Sequence, residues 1–319
     1  MRSWAAVTEP AAFRCSDFAR AERLDPAGTA GSYAGFAVVE LPLPWPREVT
    51  DHPDLAPAAP ALAAARVRVQ AVVPEPGRDP ATRRLVSCAR PPGLFAGYDL
   101  AVADVPAARL GGALAALAAS VAAEPAPDRA PAGAASGPGR HVLVCTHGRR
   151  DACCGTLGTR LALALPDLGP GVAVWRTSHT GGHRFAPTAV LLPEGTAWAY
   201  LDLDTLVGIV DRTLDVEEAA GRYRGCAGLD GPEVQAAERE ALRAVGWAWL
   251  DHHRTGTVVG RDAGGTDVRL DAVAADGTRV AFAARVETAR VMPVPDCGRP
   301  PEQAPKSAPE LRVAGFAAA

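Results

Sequence analysis

The same order of predicted elements runs twice along this chain, and that repetition limits its fold more than any single motif does. HVLVC, GTLGTRLALAL, GVAVWRT, TAVLLP, AWAYL and DTLVGIVDRTL read as strand, helix, three strands and helix. Earlier, GFAVVELP, HPDLAPAAPALAAA, ARVRVQAVV, RRLVSCA, GYDLAVADV and AARLGGALAALAASV give the same β-α-β-β-β-α order. Between the two runs, residues 123–139 (AEPAPDRAPAGAASGPG) are dominated by Ala, Pro and Gly and have the composition of a linker.

A parallel β-α-β step with its right-handed crossover, followed by an antiparallel pair and a packed helix, resembles a thioredoxin-like half. The expected fold is therefore α/β (α+β), with tandem thioredoxin-like halves over residues 1–122 and 140–214. From residue 215 the pattern changes. GPEVQAAEREALRAVGW is an amphipathic helix after a Gly-Pro start, and short strands follow at TVVG, DVRLDAV and TRVAFAARV. Residues 215–319 are read as a small α+β appendage, and its Pro- and Ala-rich end, PVPDCGRPPEQAPKSAPELRVAGFAAA, as a flexible tail.

Composition excludes several classes of function. With 319 residues, 48% of them hydrophobic, the chain can fill the cores of about two domains. A formal charge of -3 leaves no basic footprint for nucleic acid. The first residues, MRSWAAVTEPAAFRCSDF, lack a basic stretch followed by an apolar core, and no window approaches a membrane span. Seven scattered cysteines do not form the framework of a secreted disulfide domain. The expected protein is cytoplasmic, with no membrane and no nucleic-acid partner.

The chemistry is concentrated in CTHGRRDACCGTLG and SHTGGHRFAP. Cys145 and Cys154 are separated by eight residues and His179 and His183 by three. Cys145 ends a strand, where α/β folds place reactive groups. Cys154 stands where a loop meets a helix N-terminus, a position that favours a thiolate. Gly181 and Gly182 make a helix through the two histidines improbable and suit a tight loop around a bound group. Arg149 and Arg150 would balance thiolate charge or be solvated loop cations. Asp151 would cap the following helix or support a ligand, and Arg184 would shape the local potential. His147 is read as an exposed loop histidine. Cys15, Cys88, Cys226 and Cys297 stand isolated in sequence and are taken as structural. Trp175, Trp198, Trp247 and Trp249 are assigned to the core.

Two thiolates and two imidazoles suit either a tetrahedral Zn²⁺ site or a 2Fe-2S cluster in which His replaces two Cys. The residue types leave that choice open. LVCTHGRRDACCGTLG with HTGGHRFAPT, RCSDFAR with GTAGSYAGFAVVELPLPWP, and YRGCAGLDGPEVQAAEREAL together resemble the sucrase/ferredoxin-like family of thioredoxin-like ferredoxins, over most of residues 13–250. That resemblance implies a 2Fe-2S cluster held by Cys145, Cys154, His179 and His183, and with it an electron carrier more than a catalyst, working between a redox donor and acceptor. The chain departs from the family pattern at Cys153, which makes the choice between Cys153 and Cys154 a question; Cys154, which precedes the Gly, is preferred. Leu41 and Pro42 occupy the place of Cys145 in the first half, and His52 does not restore a second cluster there. A thiol-disulfide oxidoreductase is the competing reading, against which the absence of Cys-x-x-Cys weighs. A zinc-stabilised interaction module is the third. No carboxylate pair with a sugar-binding pattern supports a glycosidase.

Overall fold

A computed structural model describes residues 12–123 and 139–319 of the chain, so the linker expected over 123–139 lies almost wholly outside the described residues. After α1 (Cys15–Ala21), the first half comprises β1 (Gly35–Glu40), α2 (Ala59–Ala64), β2 (Val67–Val72), β3 (Thr82–Ala89), β4 (Asp99–Pro106) and α3 (Leu110–Ala122). The second comprises β5 (Arg140–Cys145), α4 (Thr159–Ala164), β6 (Val172–Thr177), β7 (Ala189–Leu192), β8 (Thr196–Trp198) and α5 (Leu203–Val210). Then follow α6 (Val216–Arg222), β9 (Tyr223–Cys226), α7 (Pro232–Val245), β10 (His253–Asp262), β11 (Gly265–Val273), β12 (Arg279–Pro293) and β13 (Ser307–Ala318).

The fold is mixed α+β, and the sequence repeat reappears as a repeat of strand pairing. β1 runs parallel to β2 and antiparallel to β3, which pairs with β4. β5 runs parallel to β6 and antiparallel to β7, which pairs with β8. The halves join edge to edge through an antiparallel contact of β2 with β6, in one nine-stranded sheet of order β4-β3-β1-β2-β6-β5-β7-β8-β9. β1 is buried at every position, as a strand covered on both faces must be, and this is why Phe36–Val39 read as an unbroken apolar run. α5 starts on a capping box in which the Asp202 carboxylate accepts the Thr205 N–H.

The C-terminal part departs from the expected appendage in two respects. β9 lies beyond residue 214 yet forms the edge of the large sheet, and α7 packs between β9 and a second, antiparallel sheet, β10-β11-β12-β13. Val234, Ala237 and Leu242 of α7 share one core with Val268 and Leu270 of the second sheet and Leu143 and Val190 of the first. The expected flexible tail is corrected as well, because Ser307–Ala318 form β13, paired along β12. Its Pro/Ala-rich composition hides an alternation in which Leu311 is buried and Phe316 stacks on Phe282 with ring centroids 4.8 Å apart. Cys88 and Cys226 are core residues whose thiols burial pushes up to about 12. Among the described residues no helix is long and apolar enough to cross a membrane.

Candidate metal centre

Strand β5 delivers Cys145 to the open end of the sheet, and the chain turns back through THGRRDAC into a short π-helical segment, Cys154–Gly158, that leads into α4. This return is tight. A Cβ on Gly158 would stand 1.9 Å from the Cys145 carbonyl oxygen, so only glycine lets the helix start press against the strand end. The next strand of the parallel pair, β6, ends at Thr177, and the HTGGH loop begins two residues later. Gly182 has φ +65° and lies against the Arg224 guanidinium, 2.6 Å from where a Cβ would be.

The first half of the molecule holds this loop in place. Arg68 and Gln70 of β2 donate to the His179 carbonyl, the Gln70 bond being 3.2 Å long. Thr177 Oγ1 donates to Gln70 Oε1 at 3.0 Å. From the other side, Arg224 of β9 donates to the carbonyls of Gly181 at 3.2 Å and Thr29 at 2.6 Å. Arg224 is buried, and among the described residues no carboxylate pairs with it. Burial pulls its guanidinium down to about 10, while Cys145 and Cys154 are among the groups that favour its charge.

Donor atoms of Cys145, Cys154 and His179 all lie within 4.8 Å of one another. Both thiols are buried. Cys145 is held well below the ordinary thiol range by the hydrogen bond from Cys154, against the cost of burial, with further help from His179 and the His147 N–H. Cys154 is correspondingly pushed up by that bond and by burial. The two thiols therefore titrate as a pair and not as independent groups. His179 Nδ1 is buried without a hydrogen-bond partner. Soft sulfur donors with an unused imidazole nitrogen fit a thiolate-preferring metal or cluster.

His183 takes a different position. Its ring lies 6.0 Å from that of His179, with Nδ1 3.2 Å from Asp151 Oδ2 and Nε2 3.7 Å from Asp296 Oδ1. Asp151 is 1% exposed. Burial alone would raise its carboxyl, but hydrogen bonds from His183 and Cys297 hold it well below the usual carboxylate range. It also accepts the Cys153 N–H at 2.9 Å and the Cys297 N–H at 3.2 Å.

Cys153 and Cys154 are neighbours in sequence but face different groups. Cys153 Sγ lies 3.1 Å from Cys297 Sγ and accepts from Ser16 Oγ at 3.1 Å, and Cys297 Sγ lies 3.6 Å from Cys15 Sγ. Donor atoms of Cys15, Cys153, Cys297 and Asp151 form a second set within 4.8 Å of one another. Hydrogen bonds from Cys15 and Cys297 hold Cys153 far below the ordinary thiol range, while Cys297 is raised to about 11. Cys15 and Cys297 escaped the sequence reading because they lie 136 or more residues from the loop they meet, and no spacing rule links them.

The expected neighbours of the ligands divide as follows. Arg149 is exposed, and Arg150 pairs with Glu48. Arg184 is buried, its guanidinium 4.8 Å over the Phe185 ring and its charge disfavoured by burial. His147 is corrected: it is 3% exposed, not a solvated loop residue, and packs edge-on against Trp45 with ring centroids 5.7 Å apart. The loop folds inward because the ELPLPWP turn brings Trp45 over it. A cleft of about 530 Å³ rimmed by Arg47, Arg66, Arg68 and Arg150 opens onto His147 and His179.

The profile of one protein family, described as sucrase/ferredoxin-like, matches residues 26–225. The chain belongs to the sucrase/ferredoxin-like family. A curated relative, altered inheritance of mitochondria protein 32 of Meyerozyma guilliermondii, is 32% identical over 82 residues, 23% of this chain and 29% of that protein. The chain therefore spans under a third of the relative's length. No solved structure matches the chain significantly. The family span contains Cys145, Asp151, Cys153, Cys154, His179 and His183, whereas Cys15 and Cys297 lie outside it. The first donor set is thus built within the family region, and the second is completed by chain on either side of it.

Proposed function

We propose that this member of the sucrase/ferredoxin-like family is a one-electron redox carrier that holds a 2Fe-2S cluster on Cys145, Cys154, His179 and His183. The observation that carries the reading is the meeting of two buried thiols and a half-buried imidazole at the end of β5, with His183 standing outside their 4.8 Å compass. A single tetrahedral Zn²⁺ draws four donors to about 2.0–2.3 Å from one point, whereas a two-iron cluster takes a wider set. When bound, such a cluster supplies a one-electron couple, and imidazole in place of thiolate raises its potential.

The chain's own residues set the conditions for that couple. Asp151 Oδ2, 3.2 Å from His183 Nδ1, would accept from that nitrogen, and Nε2 would then be the one to ligate. Arg224 places a buried positive charge beside the HTGGH loop, which favours the reduced, more negative state. The cleft beside His179, whose Arg47, Arg66 and Arg150 pair with Asp296, Asp230 and Glu48, is the face on which a donor or acceptor protein would approach the loop. Cys145, Cys153 and Cys154 are each at most 1% exposed, which weighs against disulfide exchange with a protein substrate. A reducing compartment such as the cytoplasm suits this reading, since it keeps the cysteines as thiols.

The test is optical and EPR spectroscopy of anaerobically purified protein before and after dithionite, with iron, sulfide and zinc analysis. The expected result is a reddish protein with about two irons and two sulfides per chain and an S = 1/2 signal on reduction. The His179→Ala variant should lose them. Colourless protein that takes up no iron and sulfide on anaerobic reconstitution, and whose zinc disappears in Cys145→Ser, would replace this reading with a structural zinc module.

A further inference from the structure

We propose that Cys15, Cys153, Cys297 and Asp151 form a second metal site, separate from the first donor set, that takes one zinc ion in Cys3Asp coordination. The four donors come from three distant stretches of chain: the start of α1, the loop after β5, and the segment between β12 and β13. Their spacing fits a single ion. Tetrahedral zinc with Zn–S of about 2.3 Å and Zn–O of about 2.1 Å sets S···S edges near 3.8 Å and S···O edges near 3.6 Å. Here Cys15 and Cys297 Sγ stand 3.6 Å apart, and Asp151 Oδ1 lies 3.4 Å from Cys15 Sγ and 3.3 Å from Cys297 Sγ. The Cys153–Cys297 separation of 3.1 Å would have to open by several tenths of an ångström around the ion.

The surroundings are built for an ion and not for a disulfide. A disulfide would consume two of the three thiols and leave the third facing the buried Asp151 carboxylate. Cys297 is anchored on both sides of its side chain, its own N–H donating to Asp151 Oδ2 at 3.2 Å and the Gly298 N–H to the Phe13 carbonyl at 2.9 Å. Ser16 Oγ, 3.1 Å from Cys153 Sγ, would remain as a donor to a bound thiolate. Three thiolates and a carboxylate exceed the charge of Zn²⁺, and buried Arg184, whose Nη1 has no partner, lies in the field of Cys15. Asp151 would then serve both centres, one oxygen toward zinc and the other accepting from His183 Nδ1. The ion would tie the N-terminal helix and the C-terminal sheet to the loop that carries Cys154.

The experiment uses the full-length chain carrying Cys145→Ser, which removes a ligand of the first set, equilibrated with Zn²⁺ and desalted. About one zinc per chain is expected, falling at least tenfold when Cys15→Ser or Cys297→Ser is added, with far-UV circular dichroism as the folding control. Co²⁺ added to the metal-free Cys145→Ser protein should give tetrahedral thiolate absorption that saturates at one equivalent. If the added variants do not fold, zinc protection of the half-buried Cys297 from alkylation in the wild-type chain, mapped by peptide mass spectrometry, decides the matter. Loss of zinc in Cys145→Ser alone, zinc retained through both added substitutions, a Cys153–Cys297 disulfide in protein kept from air, or no zinc protection would each overturn the proposal. Iron and sulfide counts in the wild-type chain are independent of all four, so the cluster reading stands or falls separately.

Discussion

At the scale of single residues, the vicinal Cys153 and Cys154 show how one peptide step assigns two thiols to different chemistry. The helix entry turns Cys154 toward Cys145 and His179, while Cys153 faces Cys15 and Cys297. Cys154→Ser should therefore abolish iron binding, whereas Cys153→Ser should keep iron and the reduced EPR signal; equal loss in both would break the assignment. On the proposed cluster Arg224 would act by charge, so Arg224→Gln should lower the midpoint potential by roughly 1 kcal/mol, or about 40 mV for one electron, in spectroelectrochemical titration. An unchanged potential would remove its electrostatic role. Asp151 gives a pH signature in the metal-free chain. Its carboxyl is held below its unfolded value, so its contribution is present above about pH 4 and is lost as pH falls through that range. Asp151→Asn should flatten that acid limb in urea unfolding measured across pH.

At the scale of elements, the junction of β5 with the π-helical turn before α4 is the part most sensitive to volume. Gly158→Ala would drive a methyl group into the Cys145 carbonyl and should cost on the order of 2–4 kcal/mol in urea unfolding, with iron content falling in parallel. Stability equal to wild type would mean that the turn is looser than it stands here. The β-α-β step was legible because apolar runs, a short helix and turn residues follow in order. The tail was not, because its composition pointed to disorder while the alternation of Leu311, Val313 and Phe316 needed β12 as a partner to become a strand.

At the scale of the whole molecule, the first half positions the HTGGH loop of the second, through Arg68 and Gln70 on the strand that joins the halves. The second sheet is fastened to the first by a fully buried ion pair: Arg254 Nε donates to Glu238 Oε1 at 2.8 Å, and Tyr223 Oη donates to Glu238 Oε2 at 2.9 Å. Glu238→Gln leaves the Arg254 charge without compensation and should cost about 3–5 kcal/mol in chemical unfolding. A loss below about 1 kcal/mol would show that the two sheets are held by apolar packing alone.

The sequence by itself determined the repeated element order, the mixed α+β class, and a thiol–imidazole site around Cys145, Cys154 and the HTGGH loop, because periodicity, turn chemistry and donor spacing are local properties. Only the tertiary structure decided that Cys15 and Cys297 close on Cys153, that His183 leans on Asp151, and that β9 and β13 complete the two sheets. Those contacts join residues far apart in the chain, and they form only when burying a shared core offsets the entropy of closing such long loops.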